Sequence, residues 1–363
     1  MSADPPQPLD PVDPFPTDPR DFIATWAASR GKLRRFIEDS VAPPIDDQSQ
    51  REAGQAAAEE AFQEAFGLGF QDFSTGVNSV SGSVRAAGGW RLTEPDPDIP
   101  VDVGAAAFFD VDNTLIQGSS LIELAMGMAR KKFFSVSEIL PVMWKQLKFR
   151  FTGTENAGDV AKGRTQAMEF IKGRKLADLV EISEDIVDAK MIAKVYSGTR
   201  ELAQMHLDAG QQVWLVTATP VQLAQILAKR LGFTGALGTV AETEDGILTG
   251  RLVGDILHGP GKAHAVAALA ALEDLDLSRC TAYSDSINDV PMLSMVGTAV
   301  AVNPDSKLKA EAQRRGWLVR DYRSARRAVR TWGVPTLVTA GFSLWRLRLR
   351  LRARRKHARA KNT

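Results

Sequence analysis

The 363-residue chain has a single cysteine, Cys280, and only four histidines. A disulfide framework and a Cys-rich metal site are thereby excluded. Long apolar runs are missing as well. The longest uncharged stretch near an end, 331–345, has 15 residues and contains Gly333 and Pro335, short of the roughly 20 a spanning helix requires. The opening Met1-Ser2-Ala3-Asp4-Pro5 has neither the basic start nor the apolar core of a secretory signal, so a cytoplasmic chain is expected. Net charge is nearly absent, +1 from 45 Lys+Arg and 44 Asp+Glu, yet it is unevenly spread. Residues 1–100 carry 17 acidic against 8 basic side chains, and 320–363 carry 14 basic against one acidic. The 44% hydrophobic content suffices for two domains, or for one with a large insertion.

Residues 1–20 are rich in proline and aspartate and poor in apolar groups, which predicts disorder. Residues 21–100 read as a helical or irregular extension that ends in a linker, Glu94-Pro95-Asp96-Pro97-Asp98, where alternate prolines block helix and sheet alike. Beyond it, short apolar runs at Ala105–Phe109, Gln212–Val216, Arg279–Tyr283 and Thr298–Val302 read as buried strands. Helical segments at Val221–Leu231 and His264–Leu272 lie between the second and third. This alternation predicts an α/β fold, a doubly wound, Rossmann-like parallel sheet formed by 101–117 and 196–325. The first two strands are too far apart for one crossover helix. Leu121, Leu124, Ala125 and Met128, and later Leu176, Leu179, Val180, Ile186 and Val187, follow helical spacing, so 118–195 is read as an inserted helical cap. Residues 326–363 form a basic tail.

Ligands of such sheets bind beyond the carboxyl ends of the strands, and polar residues cluster there. The first strand leads into Asp110 and Asp112, two residues apart and so able to face one side. A solvated acidic turn is the plainer reading of that pair alone, but carboxylates ending a buried strand require a cation or a proton. The second leads into Thr217-Ala218-Thr219-Pro220, either an anion site at a helix N-terminus or simple capping by Thr219. Lys262, in Gly259-Pro260-Gly261-Lys262, precedes the next helix, where it could hold a phosphate or serve as a surface lysine. The third strand leads into Asp285-Ser286-Ile287-Asn288-Asp289. Several carboxylates on one strand edge repel unless a hard divalent cation joins them, and oxygen ligands favour Mg2+.

Together these residues resemble the haloacid dehalogenase superfamily of phosphohydrolases, in the subfamily IB branch that contains phosphoserine phosphatase. The resemblance rests on DVDNT at 110–114, Thr217, Lys262, DSIND at 285–289 and the hairpin-like Asp245-Gly246-Ile247-Leu248-Thr249-Gly250. It spans roughly 105–320. It implies a Mg2+-dependent phosphomonoesterase in which Asp110 attacks phosphorus and forms an aspartyl-phosphate. Asp112 is then the general acid and base. The metal is held by Asp110, Asp285 and the carbonyl of Asp112. Thr217, the backbone at Ala218, Lys262 and Asn288 meet the phosphate, and Asp289 orients Lys262 or a water on the metal. A small phosphomonoester is the implied substrate.

The acidic residue that phosphoserine phosphatases place nine positions after the nucleophile, to meet the substrate ammonium, aligns with Ser119. Glu123, one helical turn on, is the candidate substitute. Cap residues Arg150, Lys162, Arg164, Lys172 and Arg174 could meet an anionic substrate or merely solvate helix faces. Two alternatives accompany the main reading. One is a lipid-phosphate phosphatase or phosphotransferase of the same superfamily. The other is a non-catalytic module whose tail binds an anionic membrane or nucleic acid. In the tail, 342–352 (FSLWRLRLRLR) alternates apolar residues with arginine. A solvated, disordered tail is the first reading; peripheral contact of 335–363 with an anionic inner membrane face is the binding role retained beside it, and nucleic acid is disfavoured.

Overall fold

The computed structural model describes residues 63–131, Ala65 excepted, and 171–323. The expectations for the acidic N-terminus, for 132–170 of the cap and for the tail beyond Arg323 lie outside these residues. The chain divides into Met1–Val319, which holds the site, and Arg320–Thr363.

Seven strands form one sheet: β1 (Ala106–Phe109), β2 (Gln212–Pro220), β3 (Gly235–Glu244), β4 (Ile247–Val253), β5 (Thr281–Ser284), β6 (Thr298–Val302) and β7 (Leu318–Arg320), in the spatial order β4-β3-β2-β1-β5-β6-β7. β1 pairs in parallel with both β2 and β5, β2 with β3, and β5 with β6. All four β1 residues are buried, as a strand covered on both faces must be. From β1 the chain builds outward through β2 and β3, then returns to the other side of β1 with β5. The order therefore reverses between β1 and β5, the switch point where open α/β sheets form a crevice at the strands' carboxyl ends. Phe109 opposes Tyr283 in the register, and their rings stack 4.2 Å apart beneath that crevice.

β3 and β4 are antiparallel, with Glu244 paired to Ile247. Asp245 (φ 49°) and Gly246 (φ 75°) supply the two left-handed residues of the tight turn between them. The expected DGILTG hairpin is present.

Eight α-helices complete the described residues: α1 (Phe70–Ala87), α2 (Ser120–Arg130), α3 (Leu176–Ile186), α4 (Ser197–Asp208), α5 (Val221–Leu231), α6 (Pro260–Leu272), α7 (Val290–Met295) and α8 (Ser306–Arg315). Two boundaries differ from the sequence reading. α6 begins at Pro260, because a proline fits the first helical position, so Lys262 lies in its first turn and not before it. β2 runs on to Pro220, which is itself the N-cap of α5; Thr219 does not cap.

α1 falls in the extension that the sequence leaves either packed on the main body or beside it; Phe73, Val77, Val80 and Val84 are buried in the same core as Phe108, Trp214 and Leu269. It lies against α6 so closely that a Cβ on Gly76 would come within 2.2 Å of the His264 carbonyl oxygen. Part of 21–100 is thus a layer packed on the sheet.

α2 and α3 are the described part of the cap. Leu124, Met128, Leu179, Ile182, Ile186 and Val187 are buried, and a Cβ on Gly127 would meet Ile186 Cδ1 at 2.3 Å. The two chain crossings between cap and core run side by side. Gln117 N–H donates to the Lys194 carbonyl, and Tyr196 N–H to that of Leu115, both at 2.9 Å.

Candidate active site

Asp110 is the first residue beyond β1. Its N–H continues the ladder to β5, donating to the Tyr283 carbonyl at 2.9 Å. The side chain is 8% exposed. Its Oδ1 accepts from Lys262 Nζ at 2.6 Å and its Oδ2 from Thr114 Oγ1 at 3.1 Å. The same Nζ donates to Asp289 Oδ2 at 2.7 Å, where Ser284 Oγ also donates, at 2.7 Å. Residues 152 and 27 positions from Lys262 are thus joined by one buried ammonium. The first turn of α6 can enter the crevice because Gly261 lacks a Cβ, which would lie 2.2 Å from the Ile256 carbonyl oxygen.

Burial raises the Asp110 carboxyl to about 7; the attraction of Lys262 is insufficient to offset it, and Asp289 and Asp112 add to the rise. Lys262 is raised as well. Burial pulls its ammonium down, but Asp110 and Asp289 outweigh that and hold it charged. Two buried carboxylates therefore share one cation, and the crevice carries unbalanced negative charge.

Asp112 faces the start of α2. Its Oδ1 accepts from Ser120 N–H at 2.8 Å and from Ser120 Oγ, and its Oδ2 accepts from Ser119 Oγ at 2.9 Å. Asn113, in the left-handed region at φ 57°, makes the turn between the two aspartates and the cap. Its carbonyl accepts from Asn303 Nδ2 at 2.8 Å. On the other side of β1, Thr217 is buried, with Oγ1 3.0 Å from Thr219 Oγ1 and accepting from Thr219 N–H at 3.3 Å. Ala218 between them is exposed, and its carbonyl accepts from Thr239 Oγ1 at 2.8 Å.

Asp285 follows β5 directly, as Asp110 follows β1. These strands are neighbours, about 4.8 Å apart, and the register of Phe109 with Tyr283 sets Asp110 opposite Ser284, so Asp285 stands one residue further along at the same end of the sheet. Asn288 and Asp289 belong to the short 3-10 turn Ile287–Asp289, capped by Ser286. Asp305 holds this loop from outside: its N–H donates to the Asp285 carbonyl at 2.8 Å, and its Oδ2 accepts from Ile287 N–H at 3.1 Å.

Among the described residues no three His, Cys, Asp or Glu side chains gather closely enough to bind a metal by themselves. The donor set that the resemblance implies is two carboxylates, Asp110 and Asp285, and the Asp112 carbonyl, all of which follow β1 or β5. Such all-oxygen sets suit Mg2+, which keeps several waters and needs only one or two carboxylates. The excess negative charge beside Lys262 is the structural reason to expect a cation here.

Ser119 and Glu123 are not open to a substrate ammonium. Ser119 is engaged by Asp112, while Glu123 is buried and ion-paired with Lys190, at 3.3 Å, and with Lys194. Burial tends to raise the Glu123 carboxyl, but hydrogen bonds from Lys194 and Lys190 prevail and lower it. Sequence reasoning included Thr114 in the DVDNT motif without giving it a role, and it missed Ser284 and Asp305, and the pair His206 and Tyr283. Burial lowers the His206 imidazole pKa, so the neutral ring donates from Nδ1 to Gln211 at 2.6 Å and accepts at Nε2 from Tyr283, 2.7 Å away. Only Asp305, in the capping pattern Pro304-Asp305-Ser306, had a readable signal.

Comparison with known proteins fits this arrangement. A model of the family described as haloacid dehalogenase-like hydrolase matches residues 107–294. A phosphoserine phosphatase of Mycobacterium tuberculosis is 59% identical over 246 residues, covering 68% of this chain and 80% of that protein. A histidinol-phosphatase of Neisseria meningitidis is 28% identical over 221 residues, 60% of this chain and 98% of its own. A solved structure from Bordetella pertussis, of a protein with unknown function, superposes with a TM-score of 0.55 at 27% identity, covering 60% of this chain and 99% of that one.

Proposed function

The chain belongs to the haloacid dehalogenase-like hydrolases, and on that premise we propose that this phosphatase is a Mg2+-dependent phosphomonoesterase working through an aspartyl-phosphate at Asp110. The observation that carries the reading is the Lys262 ammonium, bonded at once to Asp110 and Asp289 beyond two neighbouring strands. A carboxylate attacks a phosphoryl group only where the phosphoryl oxygens are neutralised. Lys262 supplies one positive charge, and Thr217 Oγ1 with the backbone at Ala218 supplies donors on the opposite side of β1. Asn288 adds an amide from the β5 side. Asp110, Asp285 and the Asp112 carbonyl would hold Mg2+, which would supply further positive charge toward the phosphoryl oxygens.

In the first step an Asp110 oxygen forms a bond to phosphorus as the bond to the leaving oxygen breaks, and Asp112 gives its proton to that oxygen. In the second, Asp112 takes a proton from water, the water oxygen bonds to phosphorus, and the Asp110 ester is released as carboxylate. Ser119 and Ser120 hold Asp112 at the cap's first turn, so the acid and base is tied to the element that covers the crevice. Hydrolysis is favoured over phosphoryl transfer to an alcohol. Phosphate release from small phosphomonoesters should require Mg2+, stop in EDTA and be absent in Asp110→Asn. Activity that persists in that variant would discard the covalent scheme.

No helix among the described residues is long and apolar enough to cross a membrane. A cytoplasmic location, and peripheral contact of 335–363 with an anionic membrane, rest on sequence composition. Cosedimentation with anionic vesicles, with and without 335–363, tests that contact.

A further inference from the structure

Glu123 occupies the same face of α2 as Ser120, three residues earlier, and Ser120 donates to the proposed acid and base Asp112. About 4.5 Å of helix rise separates the two. Lys194 reaches Glu123 from the second chain crossing, where its own carbonyl accepts from Gln117 N–H, and Lys190 reaches it from one turn earlier. The cluster thus lies one helical turn from the serine that holds Asp112, the group proposed to protonate the leaving oxygen. It holds two ammonium groups and one carboxylate. The nearest other acid on this segment, Asp188, is matched by Arg230 with two hydrogen bonds, at 2.8 and 2.9 Å. Accessibility is unequal as well: the Glu123 side chain is 10% exposed, against 28% for Lys190 and 38% for Lys194. A ligand arriving here meets ammonium groups before it meets the carboxylate.

We propose that Lys190 and Lys194, with Glu123 held between them, form a cationic leaving-group subsite that selects phosphomonoesters bearing a second negative charge and disfavours those whose only other charge is an ammonium. The inference rests on the phosphatase reading above and specifies its substrate class. An anion gains from the surplus positive charge, and an ammonium is repelled by the lysines and finds no unpaired carboxylate. Phosphoserine, with one carboxylate and one ammonium, falls between these extremes.

Three substrates of similar size separate the cases: phosphoglycolate, phosphoethanolamine and phosphoserine. For the full-length enzyme with Mg2+, kcat/KM for phosphoglycolate should exceed that for phosphoethanolamine by about tenfold, the scale of a single net charge acting across roughly 10 Å of partly screened space. Phosphoserine should be intermediate. In K190M/K194M, Glu123 becomes an unmatched carboxylate, and the ratio should invert by a similar factor. Glu123→Gln, which leaves both lysines unmatched, should raise it further. Because each protein is judged by its own ratio, a general loss of activity in a variant cancels, and Glu123→Gln gives a second reading if the double variant does not fold. A parent enzyme that prefers phosphoethanolamine, or ratios that do not move in either variant, would overturn the subsite while leaving the phosphatase intact. No turnover of any of the three by the parent enzyme, nor of p-nitrophenyl phosphate, would instead overturn the phosphatase reading, and the subsite with it.

Discussion

Replacing Asp110 by Asn keeps the shape of the nucleophile and removes a charge that the metal-free crevice holds at a cost. Burial, with Lys262 offsetting only part of it, raises the Asp110 carboxyl from 3.8 to about 7. A rise of roughly 3 pH units corresponds to about 4 kcal/mol. Below pH 3.8 the carboxyl is protonated in folded and unfolded chains alike, and it contributes nothing. Between 3.8 and about 7 the folded chain retains a proton the unfolded one has lost, so stability falls as pH rises. Above about 7 the full cost is present. In EDTA, Asp110→Asn should therefore match the parent near pH 4 and exceed it by up to about 4 kcal/mol near pH 8. Urea unfolding at both pH values measures this. Mg2+ should then narrow the gap, because binding to the folded parent alone adds about 2.7 kcal/mol at a hundredfold excess over Kd. A variant no more stable than the parent at pH 8 in EDTA would refute the claim that Asp110 is a buried, under-neutralised carboxylate.

Lys262→Met should abolish turnover and, by leaving Asp110 and Asp289 without their shared cation, lower stability by about 3–5 kcal/mol at pH 8, measured by urea unfolding. Removal of residues 1–100 should leave a chain that does not fold, since Phe73, Val77, Val80 and Val84 would be lost from the core at about 1.5–3 kcal/mol each; a cooperative thermal transition in that truncation would show α1 to be dispensable. Gly76→Val should lower the melting temperature through the clash with the His264 carbonyl, at a cost of about 1–3 kcal/mol or more. Burial pushes the Cys280 thiol up to about 11, so a thiol reagent at pH 8 should label the native protein far more slowly than the urea-unfolded one.

Four strand positions and the order of the site loops were legible because β1, β2, β5 and β6 are short apolar runs, each followed by polar residues. The helical spacing of Leu124, Met128, Leu179 and Ile186 likewise announced α2 and α3. The place of α1 was hidden by its own composition. Phe73, Val77, Val80 and Val84 do follow helical spacing, but Gly76, Ser79, Gly82 and Ser83, which permit close approach to α6 and the sheet, interleave that stripe, so a buried layer reads as a Gly/Ser-rich extension. Glu123 was misjudged for a different reason. Helical spacing from Ser119 located its turn correctly, but its partners Lys190 and Lys194 come from the far end of the insertion, and no local pattern connects them. The Asp305 clamp on the 285–289 loop and the His206–Tyr283 bond beneath β1 are likewise long-range. Pro220 shows a finer limit: its fixed φ suits the N-cap as well as the first helical turn, and the sequence cannot separate the two.

The most direct test is to identify the residue that carries the phosphoryl group. Full-length enzyme should be incubated with Mg2+ and a phosphomonoester, quenched in acid, digested, and its peptides examined by mass spectrometry after borohydride treatment. The phosphoryl group is predicted on Asp110, with no such adduct in Asp110→Asn. Rapid phosphate release with the acyl phosphate on another residue, or with full activity in Asp110→Asn, would contradict the account.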